Sequence, residues 1–345
     1  MKTVDITECG AYLGGRYDKK EPGFAMTWPG SYAKLLARGS RLDLEIEAVY
    51  GDRRDYLSFE VDGLTAQTFS PIEGKHWYTV FLGMDAGRTH EVLIVKETMA
   101  FPDQCSVRLT RLRTDGEVLP VTPYERRIEF IGDSITCGEG CRGPEKFDEW
   151  LPMMFGAGSA FPRVTAELIK AEYSCVSISG WGVLNGWDNN PNSRIPLIYD
   201  KLCGQRTDAD YGFDFDPDAV VIALGTNDNN ALIQPPFTDP VSGKTNKFTD
   251  SAEDVDRLTR AAAAFLRHLN EKNPRAKLVW ASFYTEGVIH DALKTAVNMV
   301  KAEGIDAVFT VPCDLYNLPE GGMGSRYHPG PVTHRLIAQN LANIL

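Results

Sequence analysis

The sequence predicts two joined domains of different class: an all-β jelly roll (β-sandwich) and then an α/β domain with a doubly wound parallel sheet. Three observations predict it. At 345 residues the chain is longer than one typical domain. Its first third alternates apolar and polar residues with a period of two. The remainder alternates short apolar runs with segments of helical periodicity.

In the first third, Leu42, Leu44, Ile46 and Ala48 alternate with Asp43, Glu45 and Glu47. Leu57, Phe59 and Val61 alternate with Ser58, Glu60 and Asp62, and Gly63 ends that run. Further strands are expected at 77–82, 90–95 and 107–112, with turn residues between them, the pattern of a sandwich or jelly roll. The segment 116–124, with Pro120 and Pro123, reads as a linker, which divides the chain into 1–120 and 121–345. Beyond it, strands are expected at 128–131, 174–179, 219–224, 278–282 and 307–311. The clearest helix starts near Ser251, where Asp254 three residues on fits a capping arrangement. Val255, Leu258, Ala262, Phe265, Leu266 and Leu269 mark its apolar face, and Asn273-Pro274 follows its end. Val332, Leu336, Ile337 and Leu341 mark a last helix. Strand–helix alternation builds a parallel sheet covered on both faces.

Composition narrows the partners. The net charge is −11, from 36 basic and 47 acidic residues, which argues against nucleic acid, anionic membrane and polyanionic substrates. No apolar stretch reaches membrane-spanning length, and the N-terminus lacks a charged-then-apolar signal pattern. Seven cysteines without framework-like spacing fit a reduced, cytoplasmic protein. Cys137 and Cys141 lack a matching second pair, so no metal is expected. Gly138, Gly140 and Gly143 form G-x-G-x-x-G, but they start seven residues beyond Ile131 and Pro144 follows. A dinucleotide loop would close the strand directly, so no cofactor is expected.

The chemistry centres on the run 128–136, where an apolar strand enters Gly132-Asp133-Ser134. A serine there lies outside the carboxyl end of a parallel strand, where open α/β sheets bind ligands. A serine hydroxyl needs a base, and attack on an ester needs donors aimed at the oxyanion. Of six histidines, His76 and His90 fall in the β domain, and His268, His290 and His334 read as helical. His328 follows the last strand in a Gly- and Pro-rich loop and is the expected base. The backbone N–H groups of Ser134 and Gly180 and the side chain of Asn227 are the expected oxyanion donors, with Gly182 as the alternative to Gly180. Trp181, Trp187 and Tyr327 adjoin these segments as candidate substrate-binding aromatics.

The ordered series Gly132-Asp133-Ser134, Ser179-Gly180-Trp181-Gly182, Gly225-Thr226-Asn227-Asp228 and Tyr327-His328-Pro329 resembles the SGNH (GDSL) hydrolase superfamily. Within it, the whole chain resembles carbohydrate esterase family 2. Gly14-Gly15-Arg16-Tyr17, Trp28-Pro29-Gly30-Ser31, Val61-Asp62-Gly63 and His90-Glu91-Val92 carry the likeness in the first domain, and His334 adds to it in the second. The resemblance implies a serine esterase that removes O-acetyl groups from xylan- or mannan-derived oligosaccharides. It also implies that Asp133 and Asp228 mainly organise loops. One departure stands out. The superfamily places an Asp three, or in some branches two, residues before the histidine; here Ser325 and Arg326 stand there, and the nearest upstream carboxylate is Glu320. A Ser134–His328 dyad is therefore expected, with a backbone carbonyl or a carboxylate from elsewhere holding the imidazole. Glu320, Asp314 and Glu139 are the first carboxylates to test. A non-catalytic carbohydrate-binding protein and a short-chain lipase or thioesterase are the alternatives. The particular sugar, the hydroxyl and the oligomeric state are left open.

Overall fold

The computed structural model describes residues 1–102, 106–207 and 209–345. Among them, the first part of the chain forms two antiparallel sheets packed face to face. One runs in the order Lys2–Asp5, Ser106–Thr114, Arg41–Val49, Gly74–Leu82, with Phe24–Met26 also paired to Ser106–Thr114. The other runs Glu117–Leu119, Tyr32–Arg38, Thr89–Lys96, Leu57–Val61, Leu64–Phe69, with Tyr12–Gly14 paired to Tyr32–Arg38. Leu42, Leu44, Ile46 and Ala48 meet Leu57, Phe59, Val92 and Ile94 in the core between them. Every second residue faces inward, as the alternation requires. Asp62 and Gly63 both hold positive φ and close the hairpin from Val61 to Leu64, the two-residue turn that Asp-Gly favours.

Strand Arg126–Gly132 then opens a parallel sheet in the spatial order Ala171–Ser177, Arg126–Gly132, Ala219–Ala223, Lys277–Ala281, Ala307–Thr310. Both faces of its centre are buried. In Ala219–Ala223, Val220 and Ile222 join one core and Val221 and Ala223 the other. Six helices follow its strands among the described residues: α1 (Ser134–Cys137), α2 (Phe161–Leu168), α3 (Thr226–Ala231), α4 (Ala252–Lys272), α5 (Val288–Ala302) and α6 (Pro331–Ala342). Helices α4 and α5 pack on the Val220 face, and α2 and α6 on the Val221 face, which makes the sheet doubly wound.

The structure adjusts several expected elements. The strand expected at 174–179 is Ala171–Ser177, so Ser179 and Gly180 lie in the turn beyond it. Ser251 caps α4 by accepting from the Asp254 N–H at 3.3 Å, but the Asp254 carboxylate turns to Thr249 instead of reaching back to Ser251. The strands at 2–5, 12–14, 24–26, 32–38, 64–69 and 117–119 carry no clean alternation and are seen only in the structure.

The two parts share cores. Trp28, Met99, Ala100 and Phe101 pack into the same apolar cluster as Ile131, Val176 and Ile222. No described helix is long and apolar enough to cross a membrane.

Candidate active site

Chain reversal places the first and third strands of the parallel sheet side by side. Helices leave them toward opposite faces, so a crevice opens at their carboxyl ends. Ser134 follows one strand and Asn227 the other, and Gly180 follows the neighbouring strand Ala171–Ser177. Three of the expected residues thus meet through topology alone.

Ser134 is the first residue of α1 and 7% exposed. Asp133 caps that helix, its carboxylate accepting from the Ile135 N–H at 3.1 Å. The other Asp133 oxygen accepts from Asn227 Nδ2 at 3.2 Å, and the same Nδ2 donates to the Trp181 carbonyl at 2.9 Å. Both amide hydrogens of Asn227 are therefore engaged, which fixes the side chain beside the serine loop. Asp228 accepts from the N–H groups of Val183, Leu184 and Asn185 at 2.9, 2.8 and 3.2 Å and clamps the loop that carries Gly180. Both aspartates organise loops through these bonds. Burial, partly offset by the Ile135 N–H, pushes the Asp133 carboxyl up to about 7, and burial raises Asp228 as well.

Gly180 holds φ +82°, and a Cβ there would come 2.9 Å from Trp187 Cδ1. The Gly182 N–H is already spent on the Ser193 carbonyl at 3.2 Å.

His328 closes a two-residue hairpin. Its N–H donates to the Ser325 carbonyl at 3.1 Å, and Arg326 and Tyr327 between them hold φ +52° and +58°. That is a type I′ turn built without glycine. The turn aims the Arg326 carbonyl at the imidazole, 2.7 Å from Nδ1. The carboxylates named above are engaged elsewhere: Glu139 with Arg326 Nη1 at 2.9 Å, and Asp314 with Asn317 at 2.6 Å; Glu320 is exposed. The other histidines also have local partners. His90 meets Asp62, His268 meets Asp200, and His76 and His290 meet the carbonyls of Glu73 and Tyr284.

The glycines of the G-x-G-x-x-G run have a packing role here. A Cβ on Gly140 would lie 2.3 Å from the Ser325 carbonyl oxygen, and one on Gly143 2.1 Å from Ser325 Oγ. They let the serine loop lie against the histidine turn. Cys137 is buried and bonds to Ser177, and no cluster of three or more metal-ligating side chains occurs among the described residues.

The expected aromatics divide. Tyr327 is 87% and Trp187 48% exposed, whereas Trp181 packs partly against the core. Sequence reasoning allowed for a backbone carbonyl on the imidazole without placing it, and it missed two other features. The Arg326 carbonyl and the Glu139–Arg326 pair depend on turn conformation, which residue identity did not reveal. Tyr284 and Tyr316, with ring centroids 5.2 Å apart, follow the carboxyl ends of the last two strands. Their position after those strands was the available signal.

A serine at a strand end, a histidine held by a carbonyl and a buried asparagine on a doubly wound sheet suit carboxylic ester hydrolysis. Residues 130–336 match the model of the GDSL-like Lipase/Acylhydrolase family, and residues 13–121 match the Carbohydrate esterase 2 N-terminal model. The chain belongs to the GDSL-like lipase/acylhydrolase family and joins its hydrolase domain to a carbohydrate esterase 2 N-terminal domain; it is a carboxylic ester hydrolase. An acetyl xylan esterase, Est2A, from the rumen bacterium Butyrivibrio proteoclasticus superposes with a TM-score of 0.94 at 27% identity, over 100% of this chain and 98% of that one. An acetylxylan esterase / glucomannan deacetylase of Cellvibrio japonicus is 24% identical over 96% of this chain and 89% of its own length. The cellulase/esterase CelE of Acetivibrio thermocellus is 25% identical over 99% of this chain, which spans 40% of that larger protein.

Proposed function

We propose that this protein is a carbohydrate esterase that removes O-acetyl groups from xylan- or mannan-derived oligosaccharides through an acyl-enzyme on Ser134. The observation that carries the mechanism is the 2.7 Å approach of His328 Nδ1 to the Arg326 carbonyl. That contact calls for a proton on Nδ1 and leaves Nε2 as the basic nitrogen. Ser134 Oγ attacks the acetyl carbonyl carbon, and its proton passes to Nε2. The oxyanion is taken up by the N–H groups of Ser134 and Gly180. Asn227 Nδ2 contributes by yielding one of its present hydrogen bonds. Collapse breaks the bond to the sugar oxygen, which takes the proton from Nε2 and leaves as the alcohol. Water, deprotonated by the same nitrogen, then attacks the acetyl-serine, and acetate departs as Ser134 recovers its proton.

The sugar class rests on likeness to the Butyrivibrio and Cellvibrio esterases across both domains. Two exposed rings beside the serine and histidine segments, Trp187 and Tyr327, suit the apolar faces of pyranose rings. The test is acetate release from defined acetylated xylo- and manno-oligosaccharides, with Ser134→Ala as the blank. Release by the parent alone supports the reading. Binding without release would favour a carbohydrate-binding protein, and equal turnover of octanoate esters would favour a lipase.

A further inference from the structure

We infer that Glu139 is a positioning residue for the general base: its ion pair with Arg326 fixes the turn that carries His328 and neutralises the guanidinium beside it. The inference rests on the Ser134–His328 reading and extends it to a residue that touches neither substrate nor serine hydroxyl.

The argument begins with charge. Attack by Ser134 turns His328 into an imidazolium, which needs negative potential around it. The Arg326 carbonyl supplies only a partial charge, where an aspartate would supply a full one. The same residue brings a full positive charge to the same two-residue turn, and left alone that charge would oppose the imidazolium. Glu139 answers it. Its side chain is 4% exposed, and it accepts from Arg326 Nη1 at 2.9 Å; no other side-chain partner is found for it among the described residues.

The placement of Glu139 is also mechanical. Its N–H donates to the Ser134 carbonyl at 3.0 Å, so it is tied to the nucleophile helix. The next residue, Gly140, accepts from the Ser325 N–H at 3.0 Å and lies against His328 so closely that a Cβ would come 2.8 Å from the histidine Cβ. The Arg326 N–H is held in turn by the Phe147 carbonyl at 3.1 Å. Nucleophile loop and base turn are thus joined by backbone bonds and by one ion pair, in which Glu139 is buried and Arg326 partly exposed. Other titratable groups near this corner include Tyr327 on the turn, Lys146 and Asp148 flanking Phe147, Asp133 beside Ser134, whose carboxyl is raised by burial and further by the Glu139 charge, and His334 from α6, which burial keeps neutral.

The test is the pH profile of kcat/KM for an aryl acetate with the full chain. Glu139→Gln should lower kcat about tenfold with KM nearly unchanged, and should move the acid limb to lower pH by about half a unit, because the unanswered guanidinium disfavours the protonated base. Arg326→Gln should move the limb the opposite way, since an unanswered carboxylate favours it. The double variant should return the limb to the parent position. A merely structural role would lower activity without these opposite displacements. Limbs that stay in place, or that move in the same direction in both single variants, would overturn the inference. Should a Gln variant fail to fold, Arg326→Met, which keeps an apolar stem and removes the charge, decides: a limb moved to higher pH supports the charge argument, and a limb left in the parent position overturns it. The His328 ring titration, followed by NMR in a Ser134→Ala background, separates this inference from the esterase reading. Opposite displacements there support the ion pair even if the parent hydrolyses no ester, and their absence sinks it even if the parent does.

Discussion

Arg326 and Tyr327 show how a single pair of residues can set a catalytic group. Left-handed backbone costs a non-glycine residue roughly 1–2 kcal/mol, and here two in succession adopt it. That conformation brings a carbonyl to the imidazole where an aspartate is absent. It follows that no acid substitution should match the loss of the nucleophile. Ser134→Ala should abolish ester hydrolysis. Glu320→Gln and Asp314→Asn should stay within about tenfold of the parent, against the roughly 10⁴-fold drop expected on removing a triad acid's charge. A drop of that size from either one, in steady-state assays, would identify the missing acid and refute the dyad. Asn227→Ala should lower kcat by about 10²–10³-fold with little change in KM, as expected of the proposed oxyanion donor, whose contact would be made mainly in the transition state. A pure KM effect would place Asn227 in ground-state binding instead. Tyr327→Ala should weaken oligosaccharide substrates more than a small aryl acetate, and equal losses would assign the ring to packing.

At the scale of elements, α6 and the turn before α1 each bury a titratable group, and their pH effects oppose one another. His334 in α6 accepts from the Phe161 N–H of α2 at 3.2 Å and stacks on the Phe161 ring; burial lowers it to about 3. Its native form is neutral while the unfolded histidine takes a proton below about 6.5. Its contribution is therefore full above that pH and is lost as pH falls toward 3, at about 1.4 kcal/mol per unit. Asp133, raised to about 7 by burial, works the other way. Its contribution is full below its usual value near 3.8 and is lost as pH rises through 7. Between these limits the two slopes partly cancel. Chemical unfolding from pH 4 to 7 should therefore show a shallow profile in the parent. His334→Asn, which keeps an acceptor near Phe161, should lose stability as pH rises over that range, and Asp133→Asn should lose it as pH falls. Parallel profiles in all three proteins would show that neither group's pKa differs between the native and unfolded states.

Elements were also where the sequence was most legible. The strands at 41–49 and 57–61 and helix α4 announced themselves because one face of each is apolar and the other polar, even where Asp43, Glu45 and Ser58 on the polar faces are themselves buried. The strands at 12–14, 24–26 and 117–119 are three residues long, too short to display a period. At the site, the sequence offers candidates where chemistry demands a residue type, as at Ser134, Asn227 and His328. It was illegible where backbone conformation does the work, as at the Arg326 carbonyl, because any residue type carries a carbonyl.

At the scale of the whole molecule, the β-sandwich is built into the hydrolase domain and is no loosely tethered appendage. Arg16 is fully buried and pairs at 2.9 Å with Glu129, on the parallel strand that leads to Ser134, its guanidinium lying over the Tyr199 and Tyr211 rings. Arg163 of α2 makes a two-bond fork with Glu60, both contacts at 2.6 Å. Tyr32 stacks on Tyr173, and Trp28 donates to the Leu202 carbonyl at 2.8 Å. The buried carboxylate of Glu97 reaches furthest toward the site. It accepts from Arg142 at 2.6 Å and from the Gly158 N–H at 2.8 Å, and so anchors both ends of the loop whose Phe147 carbonyl holds Arg326. Removing one partner of such a pair leaves a charge and a backbone donor unanswered, a loss of about 3–5 kcal/mol for a fully buried pair. Arg142 retains some solvent, so the lower end applies. Glu97→Ala should thus lower the unfolding temperature and also reduce kcat, although the residue belongs to the sandwich. Because the apolar clusters cross the boundary, scanning calorimetry should show one cooperative transition in the parent and in Glu97→Ala alike. Two separated transitions in the parent would mean that the halves fold independently. A Glu97→Ala protein with parental kcat would mean that the sandwich does not set the loop beneath the histidine turn.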